Sequence, residues 1–265
     1  AFFGDNLSFI SDTTIVATQS QGCKQSDKFK YNFFLVLPAA IIVGIIYLVM
    51  GDASETVNTG AVMWWKIIPY ALVLISAAAG MNVMLVLLMG NILTGIVGIT
   101  DGSYTFMEWT DQLTAGIMGM SELILISMMA GGIFGLITKQ GVMERFMRLV
   151  SMKIRTKRGA ELSIGLLVGS VNAMTANNTV AILSVGDIAK QIAIRFGIDP
   201  RRSASILDTV SCTVQGLLPY GAQLIMASKL ARISALEIIP YLYYPMCIGL
   251  IVLLTILFQP KRRHA

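Results

Sequence analysis

Charged side chains are scarce in this sequence. Only 13% of the 265 residues are charged and 55% are hydrophobic, with a mean hydropathy of +0.72. A typical soluble domain is about 25% charged. The composition therefore excludes an ordinary water-soluble globule and favours a chain embedded in lipid.

Histidine is also scarce, and the cysteines show no pairing pattern. The single histidine is His264 in the C-terminal tail, and the three cysteines, Cys23, Cys212 and Cys247, have neither metal-ligand nor disulfide spacing. The sequence lacks an HExxH motif and a Gly-rich phosphate loop followed by Lys-Ser/Thr. We therefore expect neither an intramembrane enzyme nor an ATPase, and no cofactor.

The net charge of +5 does not indicate a nucleic-acid surface. The basic residues form short clusters between apolar runs, the densest over 139–158, and such clusters mark the cytoplasmic ends of membrane spans. We expect membrane lipid rather than nucleic acid as the surroundings of this chain. It would be a multi-pass protein of the inner (cytoplasmic) membrane with its C-terminus cytoplasmic, and the sequence leaves a homodimer open.

Several uncharged runs are long enough to cross a bilayer, since roughly 20 residues span ~30 Å of hydrocarbon. The clearest runs are 33–50, 67–99, 209–228 and 238–260. Gly80–Asn82 divides the second run into two short spans, and 123–138 forms another span. Lys24, Lys28 and Lys30 precede the first run and are assigned to the cytoplasmic side.

Two of the apolar regions are interrupted by residues that a lipid-facing helix would not place at mid-bilayer. The segment 172–179 (NAMTANNT) lies inside an uncharged run with basic flanks, which indicates a re-entrant hairpin over 160–195. The segment 215–221 (QGLLPYG) contains Pro219 between Gly216 and Gly221, which predicts a broken helix within 203–228.

An inverted repeat relates the two ends of the chain. The region around Leu7 aligns weakly with the region around Leu217, and charge placement orients them oppositely. We predict an all-α integral membrane protein, an inverted-repeat secondary transporter with a re-entrant hairpin and broken transmembrane helices. It would form one domain: 1–31 ends the first repeat's broken helix, 32–99 holds spans, and 121–265 is the second repeat.

Three segments carry a family resemblance that covers essentially the whole chain. Residues 4–14 (GDNLSFISDTT), 172–179 and 217–221 (LLPYG) resemble the NhaC-type Na+/H+ antiporter family. The resemblance implies a bacterial or archaeal exchanger with two inverted repeats, hairpins and broken helices. The family usually has proline where this chain has Phe9, so the first break is expected to be less sharp. Its members include exchangers that couple Na+ to malate or lactate.

Oxygen-bearing side chains near these breaks suit Na+ or H+ as the transported ions. Asp12 is the first candidate for a carboxylate shared by Na+ and H+, because ionisable groups at membrane depth are usually functional. The remaining ion-binding or proton-coupling candidates are Asp5, Asn6, Ser8, Ser11, Thr13, Thr175, Asn177, Asn178, Thr179 and Asp208. The expected helix breaks are at Gly4, Gly216, Pro219 and Gly221.

Each assignment has a structural alternative. Asp12 could cap a helix that begins at Thr13, and the polar hairpin residues could satisfy the backbone of a tight tip. Asp208 could pair with Arg201 or Arg202. A Na+-coupled carrier of small carboxylates would be favoured by a basic residue inside the cavity, and the sequence indicates none at membrane depth.

The inverted repeat also predicts a missing counterpart. A second polar hairpin tip is expected upstream of Ala1, at a distance similar to that between Thr175 and Leu217. These 265 residues would then hold only half of a midplane site, and we expect that they do not exchange ions by themselves.

Overall fold

A computed structural model describes residues 2–7, 11–51, 63–78, 81–142 and 154–258, together with Arg145 and Leu149. Every regular element in these ranges is a helix, which confirms the all-α class. The α-helices are α1 Phe2–Leu7, α2 Asp12–Gln21, α3 Gln25–Met50, α4 Ile68–Ala78, α5 Val83–Thr100, α6 Phe106–Lys139, α7 Lys157–Thr175, α8 Asn178–Arg195, α9 Pro200–Leu217, α10 Ala222–Ala231, α11 Ala235–Ile238 and α12 Tyr243–Leu257. Short 3-10 turns span Trp64–Ile67 and Ile239–Tyr241.

The chain divides into two compact units. The smaller, Gly51–Ile124, contains α4, α5 and the first part of α6. Its α4 and α5 pack together, and Lys66 pairs with Asp101. The Tyr104 hydroxyl donates a hydrogen bond to the Thr94 carbonyl at 2.6 Å. The larger unit combines Ala1–Met50 with Leu125–Ala265 and contains the polar segments singled out above.

Helix starts in the larger unit follow from side-chain caps, which satisfy N–H groups that the first helical turn leaves unpaired. Thr156 caps α7, and Asn177 caps α8. Asp199 caps α9 and accepts from the N–H of Arg201, and Pro200 occupies the first helical turn. These caps place the helix boundaries close to those expected from the polar segments.

Helix α9 lies at the centre of the larger unit. It contacts α1, α2, α3, α7, α8 and α12, and most of its residues from Arg202 to Gln215 are buried. Val168 of α7, Ile182 of α8, Leu207 of α9 and Ile248 of α12 belong to one apolar core. Polar side chains on α9 are therefore held inside a helix bundle, where each one needs a partner.

Apolar side chains also cover the outside of α3, where Leu48 and Val49 are 83% and 80% exposed. Among the described residues, α3 is long and apolar enough to cross a membrane by itself, and Ala235–Tyr241 with Tyr243–Leu257 would make a second span, bent by 55°. The expected span 238–260 is thus interrupted near Leu242. Helix α3 begins at Gln25, not at Phe33.

The other expected boundaries also shift. The expected span 123–138 is the second half of the longer α6. The expected division of 67–99 falls between α4 and α5. Part of the basic cluster over 139–158 lies outside the described residues.

Candidate functional site

Helices α7 and α8 form a hairpin whose tip is Ala176 and Asn177. Ala176 adopts a left-handed conformation with φ of 48°, which reverses the chain directly after α7. The Thr175 hydroxyl donates to the Val171 carbonyl at 3.0 Å. The exposed Asn177 accepts from the Val180 N–H at 3.1 Å. Thr175 and Asn177 thus hydrogen-bond to backbone groups of the hairpin itself.

A helix break separates α9 from α10. Leu218 to Gly221 leave the helical conformation, so the expected break at Pro219 and Gly221 is present, with Gly216 in the last turn of α9. The Gln215 amide nitrogen donates to the Ala176 carbonyl at 2.8 Å. The break therefore contacts the hairpin tip.

The first expected break lies between α1 and α2. Helix α1 ends at Leu7 and α2 begins at Asp12, while Ser8, Phe9 and Ile10 lie outside the described residues. Gly4 lies within α1, so its assignment as a break is wrong.

Asp12 joins this region to the hairpin. Its Oδ2 accepts a hydrogen bond from the Thr179 hydroxyl at 2.5 Å, and its Oδ1 accepts from the Thr13 N–H at 2.9 Å. Asp12 is exposed. Ser11 and Thr13 pair with each other through their hydroxyls at 2.8 Å, and Asp5 is half-buried in α1.

A buried ion pair lies beside the first break. The Nζ of Lys28 lies 2.5 Å from Oδ2 of Asp208, and the two side chains are 1% and 0% exposed. The same ammonium donates to the Thr14 hydroxyl at 2.8 Å and to the Asn6 carbonyl at 3.4 Å. The Asn32 amide nitrogen donates to the Asn6 carbonyl at 3.0 Å and contacts Asp208 Oδ2 at 3.4 Å. We call Asn6, Thr14, Lys28, Asn32 and Asp208 the ion-pair cluster.

This pairing corrects two expectations. Asp208 pairs with neither arginine, because Arg202 forms a buried two-pronged pair with Glu161 and Arg201 pairs with Asp199 near the surface. The Arg201 guanidinium lowers the pKa of Asp199 below its usual range. Lys28, expected to precede the first span, lies in the first turn of α3 and is buried in the protein. The bundle therefore contains a buried basic residue beside the candidate site, which the sequence did not indicate.

A second polar group connects Asp208 to the hairpin. The Asn178 amide nitrogen contacts Cys212 Sγ at 3.7 Å, and Cys212 Sγ lies 3.9 Å from Asp208 Oδ1. Asn172 donates to the Asn178 side-chain oxygen at 3.0 Å and to the Ser211 carbonyl at 2.6 Å. We call Asn172, Asn178, Cys212 and Gln215 the tip cluster. Asp208, Cys212 and Gln215 share one face of α9, at helical spacing.

Buried oxygens remain available in both clusters. Within the described part of the chain, Asn32 Oδ1, Asn172 Oδ1 and Gln215 Oε1 have no hydrogen-bond partner. Leaving a buried acceptor unpaired costs about 1–3 kcal/mol, and native proteins leave few such groups. These oxygens are what a passing cation needs to replace its hydration shell.

The structure thus groups the candidates into three sets. Asn6 and Asp208 meet in the ion-pair cluster, Asp12 contacts Thr179, and Asn178 joins the tip cluster. Sequence reasoning missed Lys28, Asn32 and Asn172 as members of these clusters. One signal was present, because Lys28 and Asn32 are spaced to share a face at the polar start of a long, mainly apolar helix.

The described residues combine a helical fold, exposed apolar side chains, a helix break and a buried charged pair, which are features of an integral membrane transporter. The chain belongs to the Na+/H+ antiporter family, whose profile matches residues 53–259. It is therefore a membrane protein of a transporter family.

Two relatives illustrate the range of the family. The chain is 22% identical to the malate-2H+/Na+-lactate antiporter of Bacillus subtilis, over 96% of this chain and 61% of that protein. It is 23% identical to the Na+/H+ antiporter NhaC of Alkalihalophilus pseudofirmus, over 97% of this chain and 62% of that protein. The chain thus spans about three fifths of the length of these relatives. No solved structure matches it.

Proposed function

We propose that the protein exchanges Na+ for H+ across the cytoplasmic membrane by alternating access, and that Na+ binds in the ion-pair cluster. The observation that carries this proposal is the fully buried Asp208 carboxylate, held beside the first helix break together with oxygens from α1, α2 and α3. A buried charge is costly, and at membrane depth it is retained mainly where it has a function.

The cluster offers oxygen ligands of the kind that Na+ prefers. These are the Asp208 carboxylate, the Thr14 hydroxyl, the Asn6 carbonyl and the Asn32 side-chain oxygen. The Asn6 carbonyl, in the short helix α1, accepts from both Lys28 and Asn32. Backbone carbonyls coordinate Na+ in other transporters with broken helices.

The tip cluster would line the route to this site. Asn178 reaches Asp208 through Cys212, and the oxygens of Asn172 and Gln215 could each accept a cation in passing. Asp12, held by Thr179 at the hairpin, would couple proton movement to the position of the hairpin. Asp12, the first candidate carboxylate from the sequence, would then take part in the exchange.

We also propose how the helices are arranged in the membrane. The α7–α8 hairpin would be re-entrant, and α1–α2 and α9–α10 would be the broken helices of two inverted repeats. The C-terminus would be cytoplasmic, because Lys261, Arg262 and Arg263 follow α12 in the sequence.

Asp208→Asn tests the site. The protein, expressed from its complete reading frame, would be reconstituted in vesicles and internal pH followed during a Na+ jump. We expect exchange to fall below a tenth of the parent rate, because an amide has no charge to offer Na+. Asp199→Asn is the matched control, since Asn also caps helices well. Normal exchange by Asp208→Asn would refute the site, and no exchange by the parent protein would refute the function.

A second candidate function is Na+-coupled exchange of small carboxylates. Lys28 favours it, because a buried ammonium could bind a carboxylate, and one relative is named for malate and lactate. Asp208 neutralises this ammonium, so the cluster offers no net positive charge to an anion. Malate and lactate gradients in the same vesicles separate the two functions.

A further inference from the structure

The ammonium of Lys28 lies in a pocket whose oxygen atoms would also suit a metal cation. Its ammonium has three N–H donors and three oxygen partners, from Asp208, Thr14 and Asn6, at 2.5, 2.8 and 3.4 Å. A carboxylate, a hydroxyl and a backbone carbonyl are also ligands suited to Na+. The ammonium and the transported ion therefore require the same atoms.

We infer that Lys28 is a built-in competitor of Na+, whose ammonium fills the ion-pair cluster when Na+ is absent and is displaced when Na+ enters. This inference rests on the proposed function, because it takes Asp208 as the Na+ ligand. Lys28 would then set the affinity for Na+ and keep the empty site electrically neutral.

The Lys28 ammonium and Na+ cannot occupy the ion-pair cluster together, because both are positively charged. Among the described residues, Asp208 is the carboxylate that pairs with Lys28, so a Na+ bound to the same carboxylate would lie directly beside the ammonium. Their repulsion is strong because the site is desolvated and the local dielectric constant is low. Sodium binding therefore requires the ammonium to move out of contact.

The cluster is built so that one occupant can leave while the ligands remain. Asn6 and Thr14 belong to helices α1 and α2, which hold their oxygens in place. Lys28 lies in the first turn of α3 on a flexible four-carbon stem. The side-chain oxygen of Asn32 has no hydrogen-bond partner in the described structure and is available to a smaller ion that replaces the ammonium.

Two substitutions of Lys28 should change the affinity for Na+ in opposite directions. Lys28→Gln removes the competing charge, so Na+ should bind about tenfold more tightly or better. Lys28→Arg keeps a permanent charge that grips a carboxylate through parallel N–H donors, so Na+ should bind about tenfold more weakly. Lys30→Gln, an exposed position on the same helix, is the matched control and should leave the affinity unchanged.

Calorimetric titration of the complete protein with NaCl at alkaline pH, where protons compete least, measures these affinities. Lys28→Gln that binds Na+ no more tightly than the parent would overturn the inference, because a purely structural lysine predicts weaker binding in both variants. If Lys28→Gln does not fold, Lys28→Met, which is also uncharged and keeps an unbranched stem, takes its place, and Na+ binding no tighter than the parent's overturns the inference. Normal parent exchange together with indifference to residue 28 would refute the competitor alone and leave the proposed function standing.

Discussion

Asp208 and Lys28 depend on each other at the level of single residues. Removing one partner of a buried pair costs about 3–5 kcal/mol, because the remaining charge stays buried without compensation. Asparagine at position 208 keeps an oxygen that can accept from the Lys28 ammonium. Loss of exchange in Asp208→Asn should therefore be read together with the melting temperature, so that loss of the site is separated from loss of the fold.

Asp12 provides the residue-scale prediction. Asp12→Asn should fold and insert normally, because the amide oxygen can still accept from the Thr13 N–H while the amide nitrogen donates to the Thr179 hydroxyl oxygen. The exchange rate of Asp12→Asn should fall about tenfold or more, because an amide cannot take up and release a proton. Sodium-driven pH change in vesicles is the measurement, and Thr179→Ser, which keeps the hydroxyl, is the control. Undiminished exchange in Asp12→Asn would remove this carboxylate from the mechanism.

At the scale of elements, Gly221 shows why a helix break needs a particular residue. A Cβ at this position would lie 2.9 Å from the Gln215 carbonyl oxygen and 3.0 Å from that of Leu218. Both are backbone atoms and cannot rotate away. The Gly221 N–H also donates to the Leu218 carbonyl at 2.9 Å, which closes the turn.

Gly221→Ala should therefore destabilise the break by about 1–3 kcal/mol, as overpacking commonly does, and weaken the contact between Gln215 and the hairpin tip. Gly165→Ala is the control, because a Cβ there would meet Val210 at an ordinary 3.5 Å. Thermal unfolding in detergent compares the two variants. Equal melting temperatures would show that the tight turn at Gly221 has no energetic weight.

The same elements show what a sequence can and cannot predict. The hairpin tip and the second break follow from local signals, since 172–179 is polar within an apolar run and Pro219 interrupts a helix. The partner of Asp208 does not follow, because Lys28 is distant in sequence and lies beside Lys24 and Lys30, which resemble orientation charges. The pairing of Glu161 with Arg202 does not follow from the sequence either, because it depends on which helix faces pack together.

On the scale of the whole molecule, the opposite orientation of the two repeats can be tested directly. A membrane-impermeant thiol reagent should label Cys23 from the cytoplasm. In a background without the other cysteines, Arg232→Cys should label from outside. Mass spectrometry of right-side-out and inside-out vesicles reads both sites. Labelling of both positions from the same side would contradict the inverted repeat.

The buried pair also has a consequence for the order of events during synthesis. Lys28 and Asp208 are 180 positions apart, and chains grow at roughly 5–20 residues per second. Helix α3 therefore leaves the ribosome about 10–35 seconds before its counter-charge exists. A lysine without a counter-charge is costly to bury at membrane depth. Until α9 arrives, the first turn of α3 should stay at the membrane surface and move inward only when the pair can form.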